Sequence, residues 1–251
     1  MTAPDHRDTV NQLIGWVRDG KPFFQTRFND GEMLAMFQTR HAAYRSADDS
    51  LYFPEIGEAL FRMLQELASV KDISCIQIGS SWMQVPDAEA EMFKLCLIQL
   101  GLLDRLQWAN GHDLLDGVVS GVTLDLLKAL RESRRPIILV GKKSIVGVTR
   151  CLRATLVEIP PSDWWLSRDR IVPVCDEFAK AGFTFVWCAG IAKSIMWDVW
   201  RKHPQSSHLD FGHIFDGIDG SRTREWMRRE ESPWWGPYQD SFLPYIRSFN
   251  P

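Results

Sequence analysis

The chain is poor in the features that would assign it quickly. Its five cysteines, Cys75, Cys96, Cys151, Cys175 and Cys188, are an odd number and form no Cys-x-x-Cys pair. That argues against a disulfide framework and a structural zinc, and for a reducing, cytoplasmic setting. The first residues, "MTAPDHRDTVNQ", are polar and do not read as a signal peptide. No apolar run reaches the ~20 residues needed to span a bilayer, so no integral membrane segment is expected. Charge is nearly balanced, with 29 Lys and Arg against 32 Asp and Glu. No global basic field marks the chain as a nucleic-acid binder. There is no internal repeat, low-complexity tract or linker, so residues 1–251 read as one domain. Nothing in the sequence sets an oligomeric state.

What is present is alternation. Helical periods over Thr9–Asp19, Phe53–Ser69 (with Pro54 in its first turn), Ala88–Leu100, Asp125–Ser133 and Arg168–Ala181 separate short apolar runs. The runs are "FFQTRF", "ISCIQI", Leu106–Trp108, "PIILV", "ATLVEI", "FTFVWC" and a last short one in "SHLDFGH". Pro173 is expected to shift the start of its helix, and the tail from Ser232 shows no period. Strands that alternate with helices predict an α/β fold with a mainly parallel sheet, covered on both faces. Ligands in such folds bind beyond the carboxyl ends of the strands. The junctions "NDGE", "GSSW", "GKKS", "AGIAKS" and "DFGH" are therefore the candidate site, and four of the five pair glycine with a polar or charged residue. Gly79 and Ser80 of "GSSW" belong to that rim.

In "RFNDGE", Arg27 to Glu32, Asp30 and Glu32 are two apart. On an extended segment both carboxylates would face one side, a donor set suited to Mg²⁺ or Mn²⁺, with Arg27 positioned for a phosphate. The same residues also read as a helix cap, in which Asn29 or Asp30 caps and Glu32 favours the positive helix end. Asp87-Ala-Glu89 repeats the spacing in what reads as an ordinary first helical turn. "LVGKKS" is not a P-loop, because Pro136 stands where that motif needs its first glycine. Gly141, Lys142 and Lys143 remain either a softer phosphate cradle or an exposed basic turn. Gly190 permits a tight turn after "FTFVWC". Lys193 falls in the first turn of the next helix, where its charge opposes the dipole. It is either solvated or balanced by a ligand's negative charge. Asp210, His213 and Asp216 read as a metal or acid/base set, or as a polar loop; the other histidines show no partner pattern. The pairs Trp164-Trp165 and Trp234-Trp235 read as packing before sugar or base stacking. The four arginines of "SRTREWMRRE" read as a solvated face before a polyanion contact.

Taken in order, "RFNDGE", "GIAKSIMWDVW" and "LDFGHIFD" resemble the blocks of the GT-D-type glycosyltransferases, a bacterial group first catalogued as a domain of unknown function. The resemblance spans roughly Phe23 to Asp216. It departs at Asn29, where the family carries glycine, a position that a left-handed backbone would still allow to asparagine. The resemblance implies a Rossmann-like fold and a UDP-type nucleotide-sugar donor. It implies a hydroxyl acceptor, either a glycan or glycoconjugate or a modified DNA base. It also implies a Mn²⁺ or Mg²⁺ ion on Asp30 and Glu32. By that carry-over Asp30, Glu32, Asp210 and His213 are the catalytic set. Arg27, Asn29, Gly31, Gly79, Ser80, Gly141, Lys142, Lys143, Gly190 and Lys193 border the donor. Residues 217–251 become a C-terminal extension near the acceptor. Two other expectations stand beside this one: a nucleotide-binding regulatory module without turnover, and a metal-dependent phosphohydrolase.

Overall fold

A computed structural model of the chain describes residues 5–37, 53–81, 87–190, 193–218, 220, 222, 224–229 and 231–249. Trp82 of "GSSW", Ile191 and Ala192 of the "GIAK" turn, and His41 lie outside these residues.

Seven strands form one sheet: β1 (Phe24–Phe28), β2 (Ile76–Ser80), β3 (Gln107–Asn110), β4 (Ile137–Lys142), β5 (Ala154–Ile159), β6 (Thr184–Trp187) and β7 (Ser207–Asp210). Their spatial order is β3-β2-β1-β7-β6-β4-β5, and every pairing is parallel. Helices α1 (His6–Asp19), α2 (Asp30–Met36), α3 (Pro54–Ser69), α4 (Asp87–Gln99), α5 (Asp113–Ser120), α6 (Val122–Glu132), α7 (Gly147–Leu152), α8 (Arg168–Lys180) and α9 (Ser194–Trp200) cover the two faces. The protein has the α/β, Rossmann-like arrangement that the alternation predicts.

The side-chain period of two divides the core. Ile138 and Val140 of β4, and Phe185 and Trp187 of β6, join Leu60, Phe93 and Trp197 on one face. Ile137, Leu139 and Val186 join Leu13, Leu126 and Val148 on the other. Crossovers that step towards the β3 edge run through α2, α3, α4, α8 and α9 on the first face. Those that step towards the β5 edge run through α5, α6 and α7 on the second. One hand therefore holds throughout, as it does for parallel crossovers generally. The chain leaves β1 towards β2 and returns beside it as β7. β1 is thus where the two halves of the sheet meet, the position at which such sheets open a crevice.

Several boundaries depart from the periodic reading. Pro173 lies inside α8 and does not shift its start. β3 runs two residues further than expected, to Asn110, which brings Asn110, Gly111 and His112 onto the carboxyl rim. α5 was hidden by Gly117 and Gly121. A Cβ on Gly117 would stand 2.3 Å from Thr123 Oγ1, so this glycine lets α5 and α6 pack closely. The tail without a period is helical, with α10 (Trp235–Pro237), a π turn over Tyr238–Phe242 and α11 (Leu243–Arg247). Its Tyr238, Phe242 and Ile246 are buried in the second core.

Candidate functional site

Four charged side chains are buried together at the carboxyl ends of β1 and β7. Arg27 is the penultimate residue of β1, Glu32 lies in the first turn of α2, Asp210 closes β7, and Lys193 follows β6; none is more than 4% exposed. Lys193 Nζ stands 2.8 Å from Glu32 Oε1 and 3.0 Å from Asp210 Oδ2, and it donates to the Arg27 carbonyl at 2.9 Å. Arg27 Nε is 3.6 Å from Asp210 Oδ2, and Arg27 NH1 donates to the Gly111 carbonyl at 3.1 Å. Two positive and two negative charges balance. Burying any one alone costs several kcal/mol, so each depends on the others. Burial by itself would raise the Asp210 carboxyl. The charges of Lys193 and Arg27 outweigh it and hold the pKa below the ordinary carboxylate value.

Glycines make the room. A Cβ on Gly212, whose φ is +57°, would fall 1.6 Å from Arg27 NH2, and one on Gly79 would crowd Arg27 Cγ at 3.3 Å. Gly79 and Ser80 thus lie inside β2, not after it, and Gly79 serves the close approach of Arg27. A Cβ on Gly111 would meet Asn29 Oδ1 and Ser81 Oγ, each at 2.3 Å, and Ser81 Oγ donates to Asn29 Oδ1 at 3.1 Å. The turns after β1, β2 and β3 are packed against one another through these contacts.

The extended reading of "NDGE" is corrected. Helix α2 begins at Asp30, so Asp30 and Glu32 point away from each other and do not share a side. Asp30 is exposed, Gly31 lies in the same first turn, and Glu32 turns inward. Glu32 Oε2 accepts the Asn29 N–H at 2.9 Å, the reciprocal half of a capping box. Asn29 has φ −103° and ψ −170°, so no left-handed turn is required where the resembled family has glycine. As arranged, this pair does not fit a divalent cation: Lys193 takes one oxygen of Glu32 and the Asn29 N–H takes the other. Among the described residues no three His, Cys, Asp or Glu side chains converge as metal ligands. The Asp210, His213 and Asp216 side chains do not converge in this way; Asp216 instead pairs with Arg224 at 2.9 Å.

His213 is partly buried at the start of the loop after β7, its ring 6.1 Å from that of Trp226. Desolvation, then the positive charges of Arg224, Arg27, His112 and Lys193, hold its pKa well below the ordinary value, so the ring is neutral. His112, which no sequence pattern singled out, sits on the same rim with its ring 6.0 Å from Trp234. Burial and the Arg27 charge lower its pKa, against the opposing charges of Asp116 and Asp30. The signal that could have found it was positional: it follows a strand end by two residues. Trp234 Nε1 donates to Asp116 at 2.8 Å, and Arg222 lies over the Trp235 ring at 4.9 Å. Trp234 and Trp235 thus edge the rim, whereas Trp164 and Trp165 are core.

Other expected donor residues do not join this cluster. Lys142 ends β4 and Lys143 follows it, three strands from β1, or about 14 Å at the usual strand spacing. Gly141 is needed for packing, since its Cβ would meet Ile145 Cδ1 at 2.3 Å. Gly190 does form a turn, with φ +59°. The negative charge that balances Lys193 is supplied from within, by Glu32 and Asp210.

No family model matches the chain, and no curated protein matches it. Among solved structures it is similar to one described as the highly conserved domain of unknown function 1792, with a distinct glycosyltransferase fold. That similarity has a TM-score of 0.55 at 16% identity, over 82% of this chain and 77% of the other. At that identity what is shared is the fold.

Proposed function

We propose that this protein is a glycosyltransferase, moving a sugar from a nucleotide-sugar donor of the UDP type to a hydroxyl acceptor. The observation that carries the reading is the buried Arg27–Asp210–Lys193–Glu32 network. It lies at the carboxyl ends of β1 and β7, where the strand order reverses, in a fold similar to a solved glycosyltransferase fold. Such a network is a costly way to hold a strand end and an economical way to hold a site rigid. Transfer breaks the bond from the anomeric carbon to the diphosphate oxygen, which leaves with the electron pair. It forms the bond to the acceptor oxygen, which gives up its proton. Of the carboxylates here, Glu32 and Asp210 are committed to Lys193 and Arg27. Asp30, exposed in the first turn of α2, is the one we assign to take that proton. Neutral His213 serves as a hydrogen-bonding partner and not as a charge. The half-buried rings of Trp234 and Trp235 give the acceptor side an aromatic edge on which a sugar or a base would stack; Arg224 and Arg229 nearby are already engaged, with Asp216 and Glu225, which favours a glycan over a polyanionic DNA acceptor. No step is routed through a metal on Asp30 and Glu32, because the donor set does not fit one.

The test is a panel of nucleotide sugars, each assayed with Mn²⁺, with Mg²⁺ and with EDTA, for release of nucleoside diphosphate. One donor should turn over, and Asp30→Asn should lower kcat by about 10²-fold or more while leaving the melting temperature in place. Phosphate released from nucleotides without a sugar would favour the phosphohydrolase. Donor binding without turnover would favour the regulatory module.

A further inference from the structure

An ammonium group carries three N–H donors and no acceptor. Lys193 Nζ has three oxygens around it: Glu32 Oε1 at 2.8 Å, the Arg27 carbonyl at 2.9 Å and Asp210 Oδ2 at 3.0 Å. Two carboxylates and a backbone carbonyl are also the hard oxygen donors that Mg²⁺, Mn²⁺ or Ca²⁺ take. The side chain reaches this place from the end of β6, across β7, with 4% of its surface exposed. A divalent ion on the same oxygens would lie within a few ångströms of the ammonium, where like charges repel strongly even near a protein surface.

We infer that Lys193 is the resident cation of this site: its ammonium fills a three-oxygen cation pocket made by Glu32, Asp210 and the Arg27 carbonyl, and keeps divalent metal off Glu32. The pocket is a latent metal site that removal of the lysine side chain opens. The inference rests on the site assigned above, but its readout is metal binding. It therefore fails or survives independently of whether a sugar is transferred.

The experiment titrates Mn²⁺ alone into the wild-type chain, Glu32→Gln and Lys193→Ala, following free Mn²⁺ by electron paramagnetic resonance. Wild type and Glu32→Gln should give the same isotherm. Lys193→Ala should gain one site per chain, at least ten-fold tighter than anything in wild type, and Lys193→Ala/Glu32→Gln should lose it. Mn²⁺ should raise the melting temperature of Lys193→Ala and leave that of wild type unmoved. If Lys193→Ala folds only with Mn²⁺ and not in EDTA, the proposal is supported by the same logic. Should it fold in neither, the wild-type comparison decides: a Mn²⁺ ion bound by wild type and lost in Glu32→Gln overturns the proposal, and identical isotherms uphold it. A folded Lys193→Ala that gains no Mn²⁺ site also overturns it.

Discussion

Strand β7 is four residues long and carries two buried ionisable side chains two positions apart, His208 and Asp210. The protein treats them in opposite ways. His208 lies among Phe24, Phe185 and Trp187, with ring centroids 6.3, 4.5 and 5.8 Å away. Its Nδ1 accepts the Trp187 indole N–H at 3.1 Å, which leaves the proton on Nε2 for Ser206 Oγ at 3.0 Å. Burial pushes its pKa down to about 3, so the ring is uncharged at any pH near neutral. Asp210, one turn of the pleat further, keeps its charge because Lys193 and Arg27 meet it there. The sheet interior neutralises what it buries; the carboxyl rim keeps charge and balances it. The interior position of β7 has aromatic neighbours, whereas at its end Arg27, Glu32 and Lys193, from three other segments, converge on one place.

The largest effect that could break this contrast is a loss of charge at the rim. Asp210→Asn would leave Lys193 and Arg27 with Glu32 as their only anionic partner, an uncompensated buried positive charge. The expected destabilisation is about 3–5 kcal/mol by urea unfolding. Turnover in the proposed sugar transfer should fall with it, because Glu32 loses the ammonium's fixed position. A cost below about 1 kcal/mol would show that the four charges are not a cooperative unit.

The interior end gives the next effect, and its sign is set by the pKa. The native His208 value, about 3, lies below the unfolded value of about 6.5. The unfolded chain therefore binds a proton that the native chain refuses. The stability tied to this histidine is complete above pH 6.5 and is lost as pH falls towards 3. His208→Phe keeps an aromatic ring in the stack and removes the titration. Between pH 6.5 and 4 wild type should lose about 3 kcal/mol more than this variant. Parallel acid profiles for the two chains would contradict the assignment of His208 as a histidine held neutral.

Neither end of β7 could have been read from the sequence in the same measure. The alternation of apolar runs and helical periods carries the parallel sheet, because burial on both faces demands it. β5 and the start of α3 follow from β-branched content and from Pro54. Arg27, Lys193 and Asp210 were legible as rim residues, since each closes or follows a strand. Their pairing was not. Residues 27, 32, 193 and 210 meet only because β7 inserts between β1 and β6, and strand order is not written in local periodicity. The carboxylate spacing of "NDGE" misled for a local reason: it implies a shared face on a strand, and the helix already begins at Asp30. His112 was missed because β3 is short and mixed, "QWAN", so the strand seemed to stop before its rim.

Asp113 sharpens the comparison most finely, because it has neither a neutral cage nor a cationic partner. It opens α5 at 3% exposure, and its Oδ2 accepts the Asn110 N–H at 3.0 Å. Burial pushes its pKa up to about 6, against the Asn110 N–H that it accepts and the nearby Thr9 hydroxyl, which pull it down. The native value lies above the unfolded value of about 3.9, so the native chain holds the proton more tightly. The penalty for ionising it is absent below pH 4 and complete above pH 6. Asn keeps the acceptor for Asn110 and carries no charge. Asp113→Asn should therefore stabilise the protein at pH 7 by up to about 2 kcal/mol, after discounting for solvent screening, and leave it unchanged at pH 4. Urea unfolding at the two pH values decides the matter. An equal effect at both would mean that the carboxylate is not desolvated. A loss at pH 7 would mean that the rim uses this charge as it uses that of Asp210, and the boundary between interior and rim would then lie one strand end wider than the four-charge network.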